Sequence, residues 1–193
     1  SAVGFQLIAR HFGFKADIYY SGDISHPQNK TIVNVLNVDL NQVPPGNPDA
    51  DGHINVCVDC TPLNSCCKTA ELVIDHHKTK PKDVEFIIQN ANYGSCSTII
   101  WKIIKELEIE ITDEDTAVAT ALLLGIRTDT NDLISENMTK DDFVAYQDLL
   151  DLSNKEHLQK VMNYPFPRYL YEKRLALHRD GNNYEKDGVF VGG

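Results

Sequence analysis

Two short apolar runs, each ending at an acidic residue, constrain the fold of this chain more than any other feature. Residues 56–58 (VCV) lead directly to Asp59, and residues 72–74 (LVI) lead to the triplet Asp75-His76-His77. Continuous apolar runs of this length, closed by polar residues, are typical of parallel strands with both faces buried. Because ligands of such sheets bind outside the carboxyl ends of the strands, we expect both acidic residues to border a binding site.

Helical and strand-like patterns alternate along the first two thirds of the chain. Residues 1–12 carry apolar side chains on one side of a helix that ends at Gly13, and residues 16–20 predict a short strand. The remaining predicted elements are a helix over 29–36, a loop over 41–52, strands over 54–58, 72–74 and 84–88, and helices over 98–107, 112–126, 140–150, 155–163 and 168–178. This order predicts an α/β fold, in which helices flank a mainly parallel sheet and the C-terminal part is helical.

The charge balance limits the partners that the chain can bind. The 193 residues carry 28 acidic and 18 basic side chains, which gives a formal net charge of -10. Proteins that grip long duplex DNA through its phosphates are usually basic, so we expect no such partner. A short oligonucleotide or a small nucleotide phosphate remains compatible with this charge, because bound divalent cations supply positive charge locally. A second copy of the chain, forming a homodimer, is a further partner that we consider.

The apolar runs and the cysteines indicate the compartment. No run approaches the ~20 apolar residues that a membrane helix needs, and the N-terminus lacks a signal-peptide pattern, so we expect a cytoplasmic protein without membrane contact. The five cysteines are odd in number, and their spacing is not that of a disulfide framework. Cys57 and Cys60 form a Cys-x-x-Cys, which leaves a zinc site as an alternative. Because alternate side chains of a strand face opposite ways, we expect buried, reduced thiols instead.

Three positions carry residue types that bind metals. Asp59 and the triplet Asp75-His76-His77 follow predicted strands, and Asp129 lies in residues 125–130 after a long Ala/Leu-rich helix. Carboxylate oxygens together with imidazole nitrogens suit manganese and similar divalent cations. Taken singly, each aspartate could cap a helix or form a turn, and the two histidines could be ordinary surface residues. The residues alone leave open whether His76 or His77 would be the metal ligand.

These motifs resemble those of the DHH phosphoesterases, a family named after the triplet found here at 75–77. Residues 58–59 resemble the second motif of that family, residues 125–130 its fourth, and residues 94–98 the small-residue segment that follows the triplet and opens a helix. Residues 24–29 are similar to a loop in the branch of RecJ-like proteins that contains oligoribonuclease and phosphoadenosine-phosphate phosphatases. Within that loop, His26 and Asn29 could meet a phosphate or a base, or could simply form the loop.

The resemblance implies a role for each candidate residue. Asp59 would bridge two metal ions, and His76 and Asp129 would bind one of them. His77 would face the substrate phosphate, and Asp75 would hold the histidine region in place. The metals implied are two Mn²⁺ ions, with Mg²⁺ or Co²⁺ as alternatives, and they would activate water for attack on phosphorus.

The same resemblance sets our expectations for domains and activity. The first motif of the family, an Asp-x-Asp with a nearby histidine just before the first helix, is absent from the sequence. Residues 1–5 resemble the residues that follow this motif, so we expect residue 1 to lie just beyond it, and the alternative is a member that has lost it. We therefore expect residues 1–179 to be a DHH catalytic domain without that motif, weakly active by itself, and residues 180–193 to be a linker toward a C-terminal domain. The expected activity is manganese-dependent hydrolysis of short oligoribonucleotides or of phosphoadenosine phosphate. The alternatives are a pyrophosphatase, a cyclic-dinucleotide hydrolase, or a nucleotide-binding regulatory domain without catalysis.

Overall fold

The helices and strands follow the alternation that the sequence predicts. A computed structural model of the chain describes residues 1–44, 53–180, 183–186 and 189–192. The helices are α1 (Ala2–His11), α2 (Pro27–Val35), α3 (Cys96–Glu106), α4 (Thr116–Asp129), α5 (Lys140–Leu152), α6 (Lys155–Met162) and α7 (Arg168–Asp180). The strands are β1 (Ile18–Tyr20), β2 (Leu40–Gln42), β3 (Val56–Val58), β4 (Leu72–Asp75), β5 (Phe86–Gln89), β6 (Asn183–Lys186) and β7 (Val189–Gly192).

The two apolar runs that end at acidic residues are neighbouring strands. β3, β4 and β5 form a parallel sheet in that order, and Val58 pairs with Ile74 while Asp75 pairs with Gln89. Val73 and Ile74 of the central strand are buried, as expected where both faces of a sheet are covered. The predicted α/β class, with parallel strands flanked by helices, is confirmed.

A second parallel sheet of two strands, β1 and β2, contains a strand that the sequence pattern missed. β2 lies across the start of the predicted loop over 41–52, and residues 45–52 of that loop fall outside the described part of the chain. The sequence of β2 is Leu-Asn-Gln, which has little intrinsic strand preference. Pairing of Leu40 with Ile18, and a hydrogen bond from the Asn41 amide to the Ile18 carbonyl oxygen (3.2 Å), hold it in place.

The largest hydrophobic core lies between α1, α3, α4 and α5, on one side of β4. Its fully buried members include Ile100, Ile104, Leu122 and Ile126. α3 and α4 approach closely at Gly125, because a Cβ at this position would overlap the Ser97 hydroxyl. The motif residue Gly125 therefore lets the helix that ends at Asp129 pack tightly against the helix that follows β5.

Two helix starts differ from the sequence prediction. α2 begins at Pro27 rather than at Asn29, since His26 caps it by accepting a hydrogen bond from the Gln28 amide at 3.2 Å. Proline is well suited to a first helical position, where its missing N–H costs nothing. Before α4, Thr112 and Asp115 form a capping box around one turn of 3₁₀ helix, and the α-helix starts only at Thr116.

At the C-terminal end, β6 and β7 pair in antiparallel register. The interpretation of residues 180–193 as a linker stays a prediction. Among the described residues, no helix is long and apolar enough to cross a membrane.

Candidate metal centre

The parallel register brings Asp59 and the 75–77 triplet to the same edge of the β3–β4–β5 sheet. The Asp59 amide donates a hydrogen bond to the Ile74 carbonyl oxygen (2.9 Å), which places Asp59 beside the end of β4. Asp75 is the last residue of β4, and His76 and His77 follow it. The site thus lies where ligands of parallel sheets usually bind.

Asp59 has an unusual backbone conformation for a residue other than glycine. Its φ angle is +64°, in the left-handed region, so the chain turns sharply as it leaves β3. Aspartate adopts this conformation more readily than most residues other than glycine, so it fits the turn at this position. The Asp59 carboxylate accepts a hydrogen bond from the Ser1 hydroxyl at 3.3 Å, so the start of α1 also borders the site.

His76 is oriented by contacts on both ring nitrogens. Its Nδ1 lies 3.3 Å from the Tyr93 carbonyl oxygen, and its Nε2 lies 3.4 Å from Asp59 Oδ1. A carbonyl partner keeps the proton on Nδ1, so in a neutral ring the Nε2 lone pair faces Asp59, as in metal-bound histidines. The hydrogen bond to Asp59 raises the pKa of His76 to about 9, so near neutral pH a proton occupies the position that a cation would take.

Asp75 is buried and holds the two histidines in place through hydrogen bonds. Its Oδ1 accepts hydrogen bonds from the His76 amide (2.9 Å) and from His77 Nδ1 (2.7 Å). The latter bond leaves Nε2 of His77 for a ligand, on a side chain that is 56% exposed. Asp75 Oδ2 is buried without a hydrogen-bond partner among the described residues, and a buried carboxylate oxygen in this state calls for a nearby positive charge.

Asp129, the last residue of α4, is held by the helix that follows β5. Its Oδ2 accepts a hydrogen bond of 2.6 Å from the hydroxyl of Ser95, the N-cap of α3. Burial raises the pKa of Asp129, and the negative charge of Asp59 raises it further. The charge of Asp129 also contributes to the raised pKa of His76.

The structure brings most of the sequence-predicted site residues together. It differs from the prediction in one respect, since His77 rather than Asp129 completes the set of three potential metal donors. Among the described residues, the three that approach most closely as metal donors are Asp59, His76 and His77, whose ligand atoms lie within 4.8 Å of one another. Asp129 interacts electrostatically with Asp59 and His76 but is not part of this closest set. Asp75 lies beneath the histidines rather than among the donors.

The donor set fits a divalent cation. Burial acts to raise the pKa of Asp59, but the pKa is lowered, and the hydrogen bond from His76 is the largest effect in that direction. Asp59 and Asp129 thus place two carboxylates beside His76. Mixed oxygen and imidazole donors are those that Mn²⁺ and related cations bind.

Two contributors escaped the sequence analysis. The Tyr93 carbonyl oxygen orients His76, and no side-chain pattern marks a backbone group. Ser95 lies within the small-residue segment over 94–98, and its position before a helical pattern signals an N-cap. Its contact with Asp129, 34 residues away, has no local signal.

Comparison with known proteins supports the fold rather than a specific activity. No protein-family model matches the chain. An uncharacterized protein of Methanocaldococcus jannaschii is 29% identical over 149 residues, a match that covers 75% of this chain and 30% of that protein. The chain therefore spans less than a third of the length of this relative.

Two solved structures share the architecture. A candidate family II inorganic pyrophosphatase of Methanococcus jannaschii superposes with a TM-score of 0.60 at 19% identity, over 99% of this chain and 64% of that one. An exopolyphosphatase-related protein of Bacteroides fragilis superposes with a TM-score of 0.61 at 12% identity, over 95% of this chain and 67% of that one. At these identities the likeness shows the fold, which this chain shares with proteins described as phosphatases or their relatives.

Proposed function

We propose that this chain is the metal-binding part of a phosphohydrolase of the DHH type. The observation that carries the proposal is the convergence of Asp59, His76 and His77, with donor atoms within 4.8 Å, at the carboxyl ends of adjacent parallel strands. Asp59 faces a histidine whose other nitrogen contacts a backbone carbonyl oxygen, the arrangement expected of a metal-bound imidazole. The resemblance of the motifs to DHH phosphoesterases supplies the reaction class.

The proposed division of labour uses the contacts of each residue. Asp59 would be shared between two cations, and His76 and Asp129 would bind one of them. His77, exposed and held by Asp75, would face the substrate phosphate with its outer nitrogen. Manganese is the proposed metal, with Mg²⁺ or Co²⁺ as substitutes. When bound, the cations would supply an activated water and would offset charge on the leaving oxygen.

The substrates that we propose are short oligoribonucleotides or phosphoadenosine phosphate. The net charge of -10 disfavours a long duplex and leaves small phosphate esters, whose charge the bound cations compensate. A homodimer and a cytoplasmic location complete this proposal.

Inorganic pyrophosphate is a second candidate substrate. The likeness to the candidate family II pyrophosphatase favours it, because that fold spans nearly the whole of this chain. All of these substrates would use the same metal centre, which would act on a phosphoester bond in the nucleotides and on a phosphoanhydride bond in pyrophosphate.

The domain organisation is part of the proposal. Residues 1–179 form the catalytic domain, and residues 180–193 link it to a substrate-binding domain. Further metal ligands come from an acidic motif in a segment joined to Ser1. The contact of the Ser1 hydroxyl with Asp59 supports this arrangement, since a chain that continues backward from Ser1 starts beside the candidate centre.

The test uses the protein encoded by the complete reading frame around this sequence. With Mn²⁺, we expect it to release phosphate or nucleotides from an oligoribonucleotide, from phosphoadenosine phosphate or from pyrophosphate. Asp59→Ala and His76→Ala should abolish this release. The matched controls Asp151→Ala and His11→Ala alter an exposed aspartate and an exposed histidine, so they should leave it unchanged. Nucleotide binding without turnover in the complete protein would instead identify a regulatory domain.

A further inference from the structure

A cluster of thiols lies on the face of the sheet opposite the large core, and it includes cysteines on both sides of Asp59 in the sequence. Cys57 and Cys67 are in direct contact, with their sulfur atoms 3.6 Å apart. Together with Ala70 and Val73 they belong to a small hydrophobic cluster that is separate from the main core. Cys57 is 2% exposed, whereas Cys67 is partly accessible.

The turn at Asp59 and the segment after it create this contact. The chain leaves β3 at Val58, turns at Asp59 and returns through a 3₁₀ turn over Pro62–Asn64. Ser65 then fixes Cys67, because its hydroxyl donates to the Cys67 carbonyl oxygen (3.0 Å) and accepts from the Cys67 amide (3.3 Å). The same hydroxyl lies 3.6 Å from the Cys57 sulfur and accepts from it, so one side chain contacts both thiols.

The sulfur atoms of Cys57 and Cys67, 3.6 Å apart, are in van der Waals contact as reduced thiols. A disulfide requires sulfurs about 2.05 Å apart, so the two atoms must approach by roughly 1.5 Å. Cys60 also interacts with Cys57, and Ser65 contacts Cys67 through both the amide and the carbonyl group of Cys67. Cys96, the other buried cysteine, donates to the Ile74 carbonyl oxygen across the sheet.

We propose that Cys57 and Cys67 form a reversible disulfide that modifies the segment carrying Asp59. The oxidant is a low-molecular-weight disulfide such as oxidised glutathione. The partly accessible Cys67, as thiolate, attacks one glutathione sulfur and releases the first glutathione thiol. Cys57 then loses its proton and attacks the Cys67 sulfur, which expels the second glutathione thiol. Two cysteine thiols are oxidised, and one glutathione disulfide is reduced to two thiols.

The bridge would close the loop that contains Asp59. Asp59 lies two residues after Cys57 and eight before Cys67, so the closed ring restricts the turn that aims its carboxylate at His76. We expect the approach of the two sulfurs to displace the end of β3 and to weaken Mn²⁺ binding. This effect rests on the proposed metal centre, whereas the disulfide itself does not.

The first measurement maps the disulfide in the 193-residue chain after incubation with oxidised glutathione. Cleavage before Asp59 separates Cys57 from the peptide that carries Cys60, Cys66 and Cys67, so joined peptides report a disulfide between Cys57 and one of these three cysteines. The wild type and the Cys66→Ser control, altered at the adjacent cysteine, should give the joined peptides, and dithiothreitol should separate them. Cys67→Ser should abolish the joined species. Joined peptides that persist in Cys67→Ser, or thiols that stay reduced, would overturn the proposal.

The second measurement uses calorimetry on the protein encoded by the complete reading frame, which contains the further ligands proposed before Ser1, and compares the Mn²⁺ affinity of its reduced and bridged forms. We expect the bridged form to bind at least about tenfold more weakly, the range seen when residues that orient metal ligands are lost. Equal affinities would overturn the link between the disulfide and the centre. If neither form binds Mn²⁺ while the peptides are joined, the proposed metal centre fails and the modification site stands.

Discussion

The Ser95 hydroxyl donates a hydrogen bond of 2.6 Å to the Asp129 carboxylate, joining the N-terminus of α3 to the last residue of α4. Ser95 Oγ also accepts a hydrogen bond from the Ser97 amide at 3.1 Å, so one hydroxyl caps a helix and orients a candidate ligand. Groups that orient metal ligands through hydrogen bonds strongly influence affinity.

Ser95→Ala is therefore expected to weaken Mn²⁺ binding by about tenfold to a hundredfold. The lost cap should also lower the free energy of unfolding by about 1 kcal/mol. Calorimetric titration measures the affinity, and Ser95→Thr, which keeps a hydroxyl, should restore most of it. Unchanged affinity in Ser95→Ala would show that Asp129 is not a ligand.

Asp142 supports the segment that carries Ser95. Its buried carboxylate accepts hydrogen bonds from the Gly94 amide (2.9 Å), the Thr139 amide (2.8 Å) and the Thr139 hydroxyl (2.6 Å), and also from the Thr98 hydroxyl. Asp142→Asn removes the negative charge, and its amide NH₂ group can face N–H and O–H groups that also donate. We therefore expect the free energy of unfolding to fall by about 1.5–3 kcal/mol. Urea denaturation measures it. The neighbouring Asp141→Asn alters an exposed carboxylate and should cost less than about 0.5 kcal/mol. Equal effects would contradict the assigned network.

The protonated His76 should stabilise the metal-free protein in a pH-dependent way. Its pKa is raised from 6.5 to about 9 by Asp59, so the stabilisation is complete below pH 6.5 and disappears as the pH rises through about 9. Thermal unfolding in a chelator, compared between the wild type and His76→Gln, should show a difference that shrinks over this interval. His11→Gln, altered at an exposed histidine, should show none.

Binding of Mn²⁺ should have the opposite pH dependence and become stronger as the pH rises, because the cation replaces the proton on His76. At pH 7.5 we expect binding to release about one proton, and the affinity to increase with pH until His76 is neutral. Titrations in buffers with different ionisation enthalpies count the released protons. Binding without proton release would mean that His76 is not a ligand.

Gly125→Ala is expected to destabilise the fold by about 1–3 kcal/mol through overpacking. The added methyl group would meet the buried Ser97 hydroxyl between α3 and α4. Ser97→Ala should relieve part of this overlap, so the double variant should be more stable than the sum of the two single effects predicts. Strict additivity in urea denaturation would show that the two positions do not clash.

The two strands that end at the candidate site were predictable because their sequence signal is local. An apolar run ended by Asp59 and another ended by Asp75 identified β3 and β4, and the continuous apolar character of the two runs predicted that they are buried parallel strands. β2 was missed, since Leu40–Gln42 owes its strand conformation to pairing with β1 rather than to its own residues. The cap of α2 was misplaced for a related reason, because a histidine rarely provides an N-cap.

Residue types and their order along the chain were enough to identify an α/β sheet and the aspartates and histidines at its edge. The distinct environments of His76 and His77 were decided only in three dimensions. The Tyr93 carbonyl oxygen and Asp59 hold the first, and Asp75 holds the second while leaving it exposed. These contacts join residues up to 17 positions apart. Their geometry depends on how strands and helices pack, which no local pattern of side chains encodes.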